Sequence, residues 1–280
     1  MAHEVTIPDS RAWLVPGRSG QPGLRVNLAL PAKADDTPVH VVVVLDGDWL
    51  FLTAVEFARV VRSMLPTQFP PIAVVSVTRD EVDEGAYFQR RFLDFTPTTW
   101  TIPEPGAMMN DYAILGTGGA SSLVDELAES VLPQVRQELN DKGLRVADTT
   151  VAGWSLSGLF ACWAWLERDD LFDHLLAISP SLWWDDAALL SRPWTPLPSG
   201  RRAFICAGEF EEGDKPFAWP GREGGDEAMR VFAAMVTNAS NFARLASESG
   251  ATVFHTTFTD EHHVTLQSAA LARGLRELFT

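Results

Sequence analysis

Apolar runs of strand length alternate with amphipathic runs of helical length along most of the chain. The first two clear strands are predicted at residues 24–30 and 40–45, and the second is an almost unbroken run of valines, which is typical of a strand covered on both faces. A helix at about 52–64 and a strand at 72–77 follow. This alternation predicts an α/β fold with a mostly parallel central sheet flanked by helices on both faces.

A long irregular stretch, about residues 78–118, interrupts this pattern and carries a cluster of prolines and glycines. Segments of that length are usually functional loops. The alternation then resumes. Strands are predicted at 149–152, 175–178, 203–206 and 252–258, and helices from Ala120, from Leu156, over 229–246 and from Val264. With no internal repeat and no linker-like segment, we expect a single domain over 1–280 with a loop insertion at about 78–118.

Composition narrows the classes of partner. The chain has 280 residues, 46% of them hydrophobic, and 37 acidic residues against 22 basic ones give a formal charge of −15. Such a charge repels phosphate backbones and anionic membranes, so no nucleic acid is expected as a partner. No apolar run is long enough to span a bilayer, and no signal-like start is present, so no membrane association and a cytoplasmic location are expected. The oligomeric state stays open.

No cofactor and no metal are expected. Cys162 and Cys206 fall in an apolar helix and an apolar strand, which suits two buried free thiols better than a disulfide. Residues 260–263, Asp-Glu-His-His, hold metal-ligand types. Four consecutive side chains do not easily converge on one ion, however, and no second cluster supports them.

A serine lies between a short apolar strand and an amphipathic helix in residues 149–158, Thr-Thr-Val-Ala-Gly-Trp-Ser-Leu-Ser-Gly. This is the pattern of a nucleophile elbow, a turn so tight that the residues two before and two after the serine must be small. Gly153 and Ser157 meet that requirement. Ser155 is therefore the candidate nucleophile, and Ser157, inside the first helical turn, is the lesser alternative.

A serine nucleophile needs a base and an acid that orients it, and both types occur downstream. An acid-rich loop follows the strand at 203–206, and we choose Glu211, with Glu209 and Asp214 as alternatives. The strand at 252–258 leads to His262 and His263. Adjacent residues in a turn point in different directions, so at most one of these histidines reaches the serine.

Several stretches together resemble the esterase family of α/β-hydrolases that includes the enterochelin (ferric-enterobactin) esterases, esterase D and the mycolyltransferase antigen 85 proteins. The resemblance covers about residues 20–280. It rests on Val-Val-Leu-Asp-Gly at 43–47, Arg-Phe-Leu-Asp-Phe-Thr-Pro at 91–97, Gly-Gly-Ala at 118–120, the elbow at 152–159, and Ile-Ser-Pro-Ser-Leu-Trp-Trp at 178–184.

The resemblance implies roles for particular residues. The family's Glu-x-His-x-Ser/Thr ending falls on Glu261, His263 and Thr265, which selects His263 as the base, and its acid position falls on Glu211. The oxyanion donors would be the backbone amides of Leu156 and Asp48. Two positions depart from the family pattern, because Ser157 replaces a glycine in the elbow and Val264 replaces the glycine often found after the histidine.

Aromatic and cationic residues suggest the nature of the pocket. Six tryptophans fall near predicted loops at the carboxyl ends of strands, where active sites of open α/β sheets lie: Trp49, Trp100, Trp154, Trp183, Trp184 and Trp219. We expect Trp154, Trp183 and Trp184 to contact a ring-bearing acyl group. Arg91 is a candidate for binding an anionic group. Of Arg79, Arg90 and Arg91, we expect at least two to be solvated surface residues.

The sequence therefore predicts a serine esterase that hydrolyses a carboxylic ester through an acyl-enzyme intermediate. By resemblance, siderophore esters are one candidate substrate class among simple esters, thioesters and sugar esters. Acyl transfer to a sugar or alcohol, and a non-catalytic binding protein on a hydrolase fold, are the alternatives. Activity is expected to rise with pH as the histidine base loses its proton, which for histidine side chains in general occurs near about pH 6.5.

Overall fold

Eight strands form one sheet in the computed structural model, which describes residues 6–18, 20–31, 36–81, 83–213 and 227–280. The strands are β1 (Ser10–Val15), β2 (Leu24–Ala29), β3 (Val39–Leu45), β4 (Ile72–Arg79), β5 (Val146–Trp154), β6 (His174–Ile178), β7 (Arg202–Gly208) and β8 (Thr252–Phe258). Their spatial order is β1-β2-β4-β3-β5-β6-β7-β8. β2 runs antiparallel to both of its neighbours, and the strands from β4 to β8 in this order are parallel. The predicted α/β fold is confirmed.

Helices cover both faces of the sheet. They are α1 (Gly47–Met64), α2 (Glu84–Asp94), α3 (Ala120–Glu126), α4 (Leu132–Asn140), α5 (Leu156–Glu167), α6 (Trp184–Ser191), α7 (Glu227–Ala233), α8 (Met235–Glu248) and α9 (Gln267–Phe279). The valines of β3 show why the sheet carries a layer of helices on each face. Val41 and Val43 are buried in a core shared with α3, α4, α5 and α8, whereas Val42 and Val44 are buried in a second core with α1 and α9.

The segment predicted to be irregular at 78–118 contains a helix, so that prediction is wrong for part of its length. The Asp83 side chain caps α2 by accepting a hydrogen bond from the Ala86 amide at 2.7 Å. Tyr87 and Phe92 on α2 are buried. The prolines and glycines that suggested a loop lie after this helix, around a short 3₁₀ helix at Ala107–Tyr112.

Two other elements differ from the sequence prediction. The edge strand β1 was not predicted, because most of its side chains are exposed or half-buried and its alternation is weak. The single helix predicted over 229–246 is two helices, since Ala234 adopts a left-handed conformation with φ 42° between α7 and α8. The two cysteines are buried and free, as predicted. No helix in the described ranges is long and apolar enough to cross a membrane.

The carboxyl ends of the parallel strands place the candidate residues. Asp46 follows β3, Ser155 follows β5, Ser179 follows β6, Glu211 follows β7 and His263 follows β8. Because the strands are parallel, these five residues lie at the same edge of the sheet.

Candidate active site

An open pocket of about 550 Å³ lies at this edge of the sheet. Ser155, Glu211 and His263 all line it, together with His262. The structure thus brings together three side chains that belong to separate βα units.

Ser155 occupies a strained turn. Its backbone has φ 60° and ψ −120°, a conformation that a non-glycine residue adopts only when its surroundings impose it. The Ser155 amide donates to the Ile178 carbonyl at 3.0 Å, and the Ser181 amide donates to the Ser155 carbonyl at 3.0 Å. A Cβ on Gly153 would lie 2.2 Å from the Ser157 carbonyl oxygen, so only glycine fits there. This is the elbow geometry that the sequence predicts.

The helix that follows the elbow begins at the pocket. α5 begins at Leu156, which lines the pocket. The first-turn amides of a helix have no carbonyl partner within it, and they concentrate partial positive charge at that end. The same holds for α1, in whose first turn Asp48 lies. The carboxylate of Asp48 accepts hydrogen bonds from Arg25 at 2.7 and 2.8 Å. Since a carboxylate has no proton to donate, the candidate oxyanion donor at this position is the backbone amide.

The buried Glu211 pairs with the half-buried His263. Glu211 Oε2 lies 2.6 Å from His263 Nδ1, and the exposed fractions of the two side chains are 2% and 28%. Ser179 Oγ donates to Glu211 Oε1 at 2.5 Å, and the Gly208 amide donates to the same oxygen at 2.6 Å. Burial by itself would raise the pKa of Glu211, but the adjacent His263 ring and these hydrogen bonds outweigh it and hold that pKa below its ordinary value. The carboxylate is therefore charged at neutral pH.

The alternative residues named from the sequence are not part of the Glu211–His263 pair. Glu209 is half-buried and accepts a hydrogen bond from the Asp260 amide at 3.2 Å. Asp214 is outside the described residues. His262 also lines the pocket, and burial together with the neighbouring His263 lowers its pKa. Ser157 is fully buried. Glu211, the residue chosen from the sequence, is the carboxylate that pairs with His263 Nδ1.

Some of the predicted tryptophans line the pocket, and others support residues around it. Trp183 lines the pocket, whereas Trp184 is buried behind it and donates from Nε1 to Thr98 Oγ1 at 3.1 Å. Trp154 packs its ring 4.9 Å from the His263 ring, measured between centroids, and donates from Nε1 to the His263 carbonyl at 2.9 Å. Trp154 thus supports the loop that carries the base. Trp219 is outside the described residues.

The arginines correct one expectation. Arg91 borders the pocket, but its Nε and Nη2 bind the two oxygens of Asp46 at 2.8 Å each, and both side chains are buried. Arg79 is buried against Asp94 and Glu126. The expectation that at least two of the three arginines are solvated is therefore wrong, because two of them neutralise buried carboxylates. Arg90 is half-buried and pairs with Glu81 at 3.1 Å.

Sequence reasoning missed part of the pocket. Phe88 and Phe92 on α2, Met109 and Tyr112 in the 3₁₀ helix, and Met229 after the undescribed segment all line it. The helical spacing of Phe88, Arg91 and Phe92 is the signal that could have identified α2 as a pocket wall. Ser179, which holds Glu211, lies in the motif at 178–184, but the sequence did not indicate this role.

A mostly parallel sheet with a serine at a strained strand-to-helix turn, in the same pocket as a histidine paired with a buried carboxylate, defines an α/β-hydrolase. The chain belongs to the Putative esterase family, whose family model matches residues 21–244.

Three relatives have sequences or structures similar to this chain over almost its whole length. The siderophore triacetylfusarinine C esterase of Aspergillus fumigatus is 26% identical over 98% of this chain and 94% of its own. The ferri-bacillibactin esterase BesA of Bacillus subtilis is 23% identical over 98% and 91%. The structure of siderophore hydrolase EstB from Aspergillus nidulans superposes with a TM-score of 0.79 at 25% identity, covering 99% of this chain and 97% of that one. Family and relatives together support ester hydrolysis as the activity of this chain.

Proposed function

We propose that the protein is a serine esterase that cleaves a siderophore-type carboxylic ester through an acyl-enzyme intermediate. The observation that carries the proposal is the position of Ser155, held at φ 60° in the same pocket as the pair formed by buried Glu211 and half-buried His263. Each of the three residues then has one role.

Ser155 Oγ attacks the ester carbonyl while His263 accepts its proton. Because Nδ1 of His263 is bound to Glu211, the proton goes to Nε2 and is later given to the departing alcohol. Glu211 keeps the ring in this tautomer and stabilises the imidazolium as it forms. The amides of Leu156 and Asp48, at the first turns of α5 and α1, stabilise the oxyanion. Water then attacks the acyl-enzyme, with His263 as the base, and releases the acid.

The walls of the pocket suggest the kind of group that it accepts. Aromatic and sulfur-containing side chains dominate the lining near Ser155: Phe88, Phe92, Met109, Tyr112, Trp183, Met229 and Met235. Such walls suit a large acyl group with apolar or ring-bearing parts. In this proposal Trp183 contacts the substrate directly, and Trp154 and Trp184 act by supporting His263 and Trp183. Arg91 contributes a charge that Asp46 already balances. The similarity to siderophore esterases supports a siderophore ester as the first candidate substrate.

The proposal includes a cytoplasmic location. The free thiols of Cys162 and Cys206 are compatible with the reducing environment of the cytoplasm.

Covalent labelling tests the serine mechanism. We expect a fluorophosphonate probe to modify the wild-type protein at Ser155, and Ser155→Ala to abolish both labelling and hydrolysis of a chromogenic ester. Ser121→Ala, which removes an exposed hydroxyl on α3, is the matched control and should behave as wild type. Labelling that persists in Ser155→Ala would count against the mechanism, and absence of labelling and hydrolysis in the wild type would favour a binding protein.

A substrate panel tests the class of ester. Short-chain esters, acyl sugars, a hydroxamate siderophore ester and a tris-catecholate siderophore are compared by kcat/KM, with chromatographic identification of the products. The proposal expects the highest kcat/KM for a siderophore ester and free acid as the product. A transferred acyl group on added sugar or alcohol, in preference to free acid, would instead indicate an acyltransferase.

A further inference from the structure

The residue two positions after the nucleophile is a serine whose hydroxyl is buried and fully bonded. Ser157 Oγ lies 2.6 Å from Asp46 Oδ2 and 2.8 Å from the Trp154 carbonyl oxygen, and it accepts from the Trp154 amide at 2.8 Å. Its single proton goes to Asp46, because that oxygen is nearer and belongs to a charged group. The Ser157 side chain is fully buried. A hydroxyl committed in this way is not a second nucleophile, and its position in the fold indicates a different role.

Asp46, the partner of Ser157, is the centre of a closed set of hydrogen bonds. Its Oδ1 accepts from Arg91 Nε at 2.8 Å and from the Tyr87 hydroxyl at 2.5 Å. Its Oδ2 accepts from Arg91 Nη2 at 2.8 Å and from Ser157 at 2.6 Å. Each carboxylate oxygen therefore accepts two hydrogen bonds, and the carboxylate is fully buried. Charge-assisted hydrogen bonds in a buried site are strong and geometrically restrictive.

This set of bonds joins the two backbone segments that carry the proposed oxyanion donors. Asp46 immediately precedes α1, with φ 53°, and lies two residues before Asp48. Ser157 lies in the first turn of α5, one residue after Leu156. The carboxylate of Asp46 is thus a direct bridge between the first turn of α5 and the residue that starts α1.

The same bridge reaches the loop of the base. Ser157 Oγ binds the Trp154 amide, and the Trp154 indole donates to the His263 carbonyl at 2.9 Å. A displacement of the Ser157–Asp46 contact would therefore alter the position of the elbow relative to both α1 and the histidine loop.

We propose that Ser157 is a positioning residue that, through Asp46, fixes the separation of the Leu156 and Asp48 amides in the oxyanion hole. This inference rests on the proposed esterase function. An oxyanion donor acts only when it lies about 2.7–3.1 Å from the developing charge, and a misplacement of about 1 Å costs roughly a hundredfold in rate. Glycine, the residue that the family pattern has at this position, would leave Asp46 Oδ2 with one donor fewer in a buried site.

Two variants, Ser157→Ala and Ser157→Gly, test the inference. Both remove the hydroxyl, and glycine suits the tight elbow, so at least one folded variant is available. We expect kcat on a chromogenic ester, per active site titrated with a fluorophosphonate, to fall about 10- to 100-fold. KM should change by less than about twofold, because the loss is confined to the transition state. The rate of fluorophosphonate labelling, which forms a tetrahedral oxyanion-like adduct, should fall by a similar factor.

The pH profile and a control separate positioning from general destabilisation. The midpoint of the pH–rate profile should stay at its wild-type value, since the Glu211–His263 pair is untouched. Thr96→Val is the matched control, because Thr96 Oγ1 is also buried and bonded, donating to the Phe92 carbonyl and accepting from the Gly118 amide at 2.7 Å each. It should lower the melting temperature and leave kcat unchanged.

Three outcomes overturn the inference, and they are distinguishable. If the wild type hydrolyses ester and both Ser157 variants keep wild-type kcat, Ser157 has no positioning role. If the variants change only the melting temperature, as Thr96→Val does, the role of Ser157 is structural. If the wild type neither labels nor hydrolyses, the esterase function fails first and the inference fails with it.

Discussion

The two ends of the sheet each hold a histidine paired with a carboxylate, yet only one end has the other parts of a catalytic site. At the carboxyl end, Glu211 and His263 are 2.6 Å apart beside a pocket of about 550 Å³. At the amino end, Asp148 and His40 are also 2.6 Å apart, beside a pocket of about 620 Å³. A carboxylate–histidine pair and a cavity are therefore not sufficient to identify a catalytic site in this molecule.

The difference lies in what surrounds each pair. Ser155, at positive φ, lines the carboxyl-end pocket, whereas none of the described residues lining the amino-end pocket has a positive φ. Asp148 is shared between His40 and His174, whose Nε2 lies 3.3 Å from it. Phe279, the last residue of α9, lines the amino-end pocket. A helix carboxyl terminus carries partial negative charge, which disfavours an oxyanion, whereas the amino termini of α1 and α5 lie at the other end.

The largest contrast is expected between the two histidines. We predict that His263→Gln lowers kcat by at least about 10⁴-fold, because the serine loses its base. His40→Gln should leave kcat within about twofold of wild type. Steady-state kinetics with the chromogenic ester, on proteins shown to be folded by circular dichroism, checks both. Equal losses in the two variants would contradict the distinction between the two ends.

The two carboxylates give the next contrast. Glu211→Gln should lower kcat by about 10³- to 10⁴-fold, because the imidazole loses its tautomer and its counter-charge. Asp148→Asn should leave kcat unchanged and lower the free energy of unfolding by about 1–3 kcal/mol, since a charge-assisted hydrogen-bond network is weakened. Kinetics and urea denaturation measure the two effects. An Asp148→Asn protein that is stable but inactive would contradict the account.

A smaller effect is expected at Ser179, which donates a hydrogen bond to the carboxylate of the Glu211–His263 pair. Ser179→Ala removes the 2.5 Å hydrogen bond to Glu211. Because Glu211 is then held less firmly, kcat should fall about tenfold, which corresponds to an increase of roughly 1.4 kcal/mol in the activation free energy. The pKa of Glu211 should rise towards its ordinary value, because one hydrogen bond that favours the charged form is lost. Nuclear magnetic resonance titration of a side-chain-labelled Glu211 detects that rise. No change in either quantity would show that the Gly208 amide and His263 hold the carboxylate without help from Ser179.

The smallest expected effect is on the free energy of unfolding at acidic pH, and it arises from Asp148. Burial would raise the pKa of Asp148, but hydrogen bonds and charge from His174 and His40 outweigh it and hold that pKa far below the ordinary 3.8. A carboxylate with a lowered pKa in the folded state contributes stability above its unfolded pKa and loses it as pH falls through the folded pKa. The difference in unfolding free energy between wild type and Asp148→Asn should therefore be full near pH 5 and shrink below pH 3.8. A difference that grows on acidification would reverse the sign assigned here.

Local patterns explain why most of the sheet and the three candidate catalytic residues could be predicted from the sequence. The β3 valines and the small residues around Ser155 report constraints that act within a few positions along the chain. The local pattern was not sufficient to identify Glu211 and His263, because the acidic loop contains three candidate carboxylates and the loop after β8 contains two histidines. The family resemblance selected between the histidines, and the fold then showed which carboxylate reaches His263.

Contacts between distant segments could not be predicted. The hydrogen bond between Asp46 and Ser157 joins residues 111 positions apart, and no periodicity encodes such a pairing. The arginines were misjudged for the same reason, because a buried arginine is recognisable only once its carboxylate partner is placed. Helix α2 was missed because the nearby prolines and glycines dominated the pattern.

The crystal structure of the fluorophosphonate-modified protein tests the central claim most directly. We predict phosphorus bonded to Ser155 Oγ, with a phosphonyl oxygen about 2.7–3.1 Å from the amides of both Leu156 and Asp48. His263 Nε2 should lie within hydrogen-bonding distance of Ser155 Oγ, with Nδ1 still bound to Glu211. An adduct on another residue, or a phosphonyl oxygen that turns away from both amides, would contradict the account.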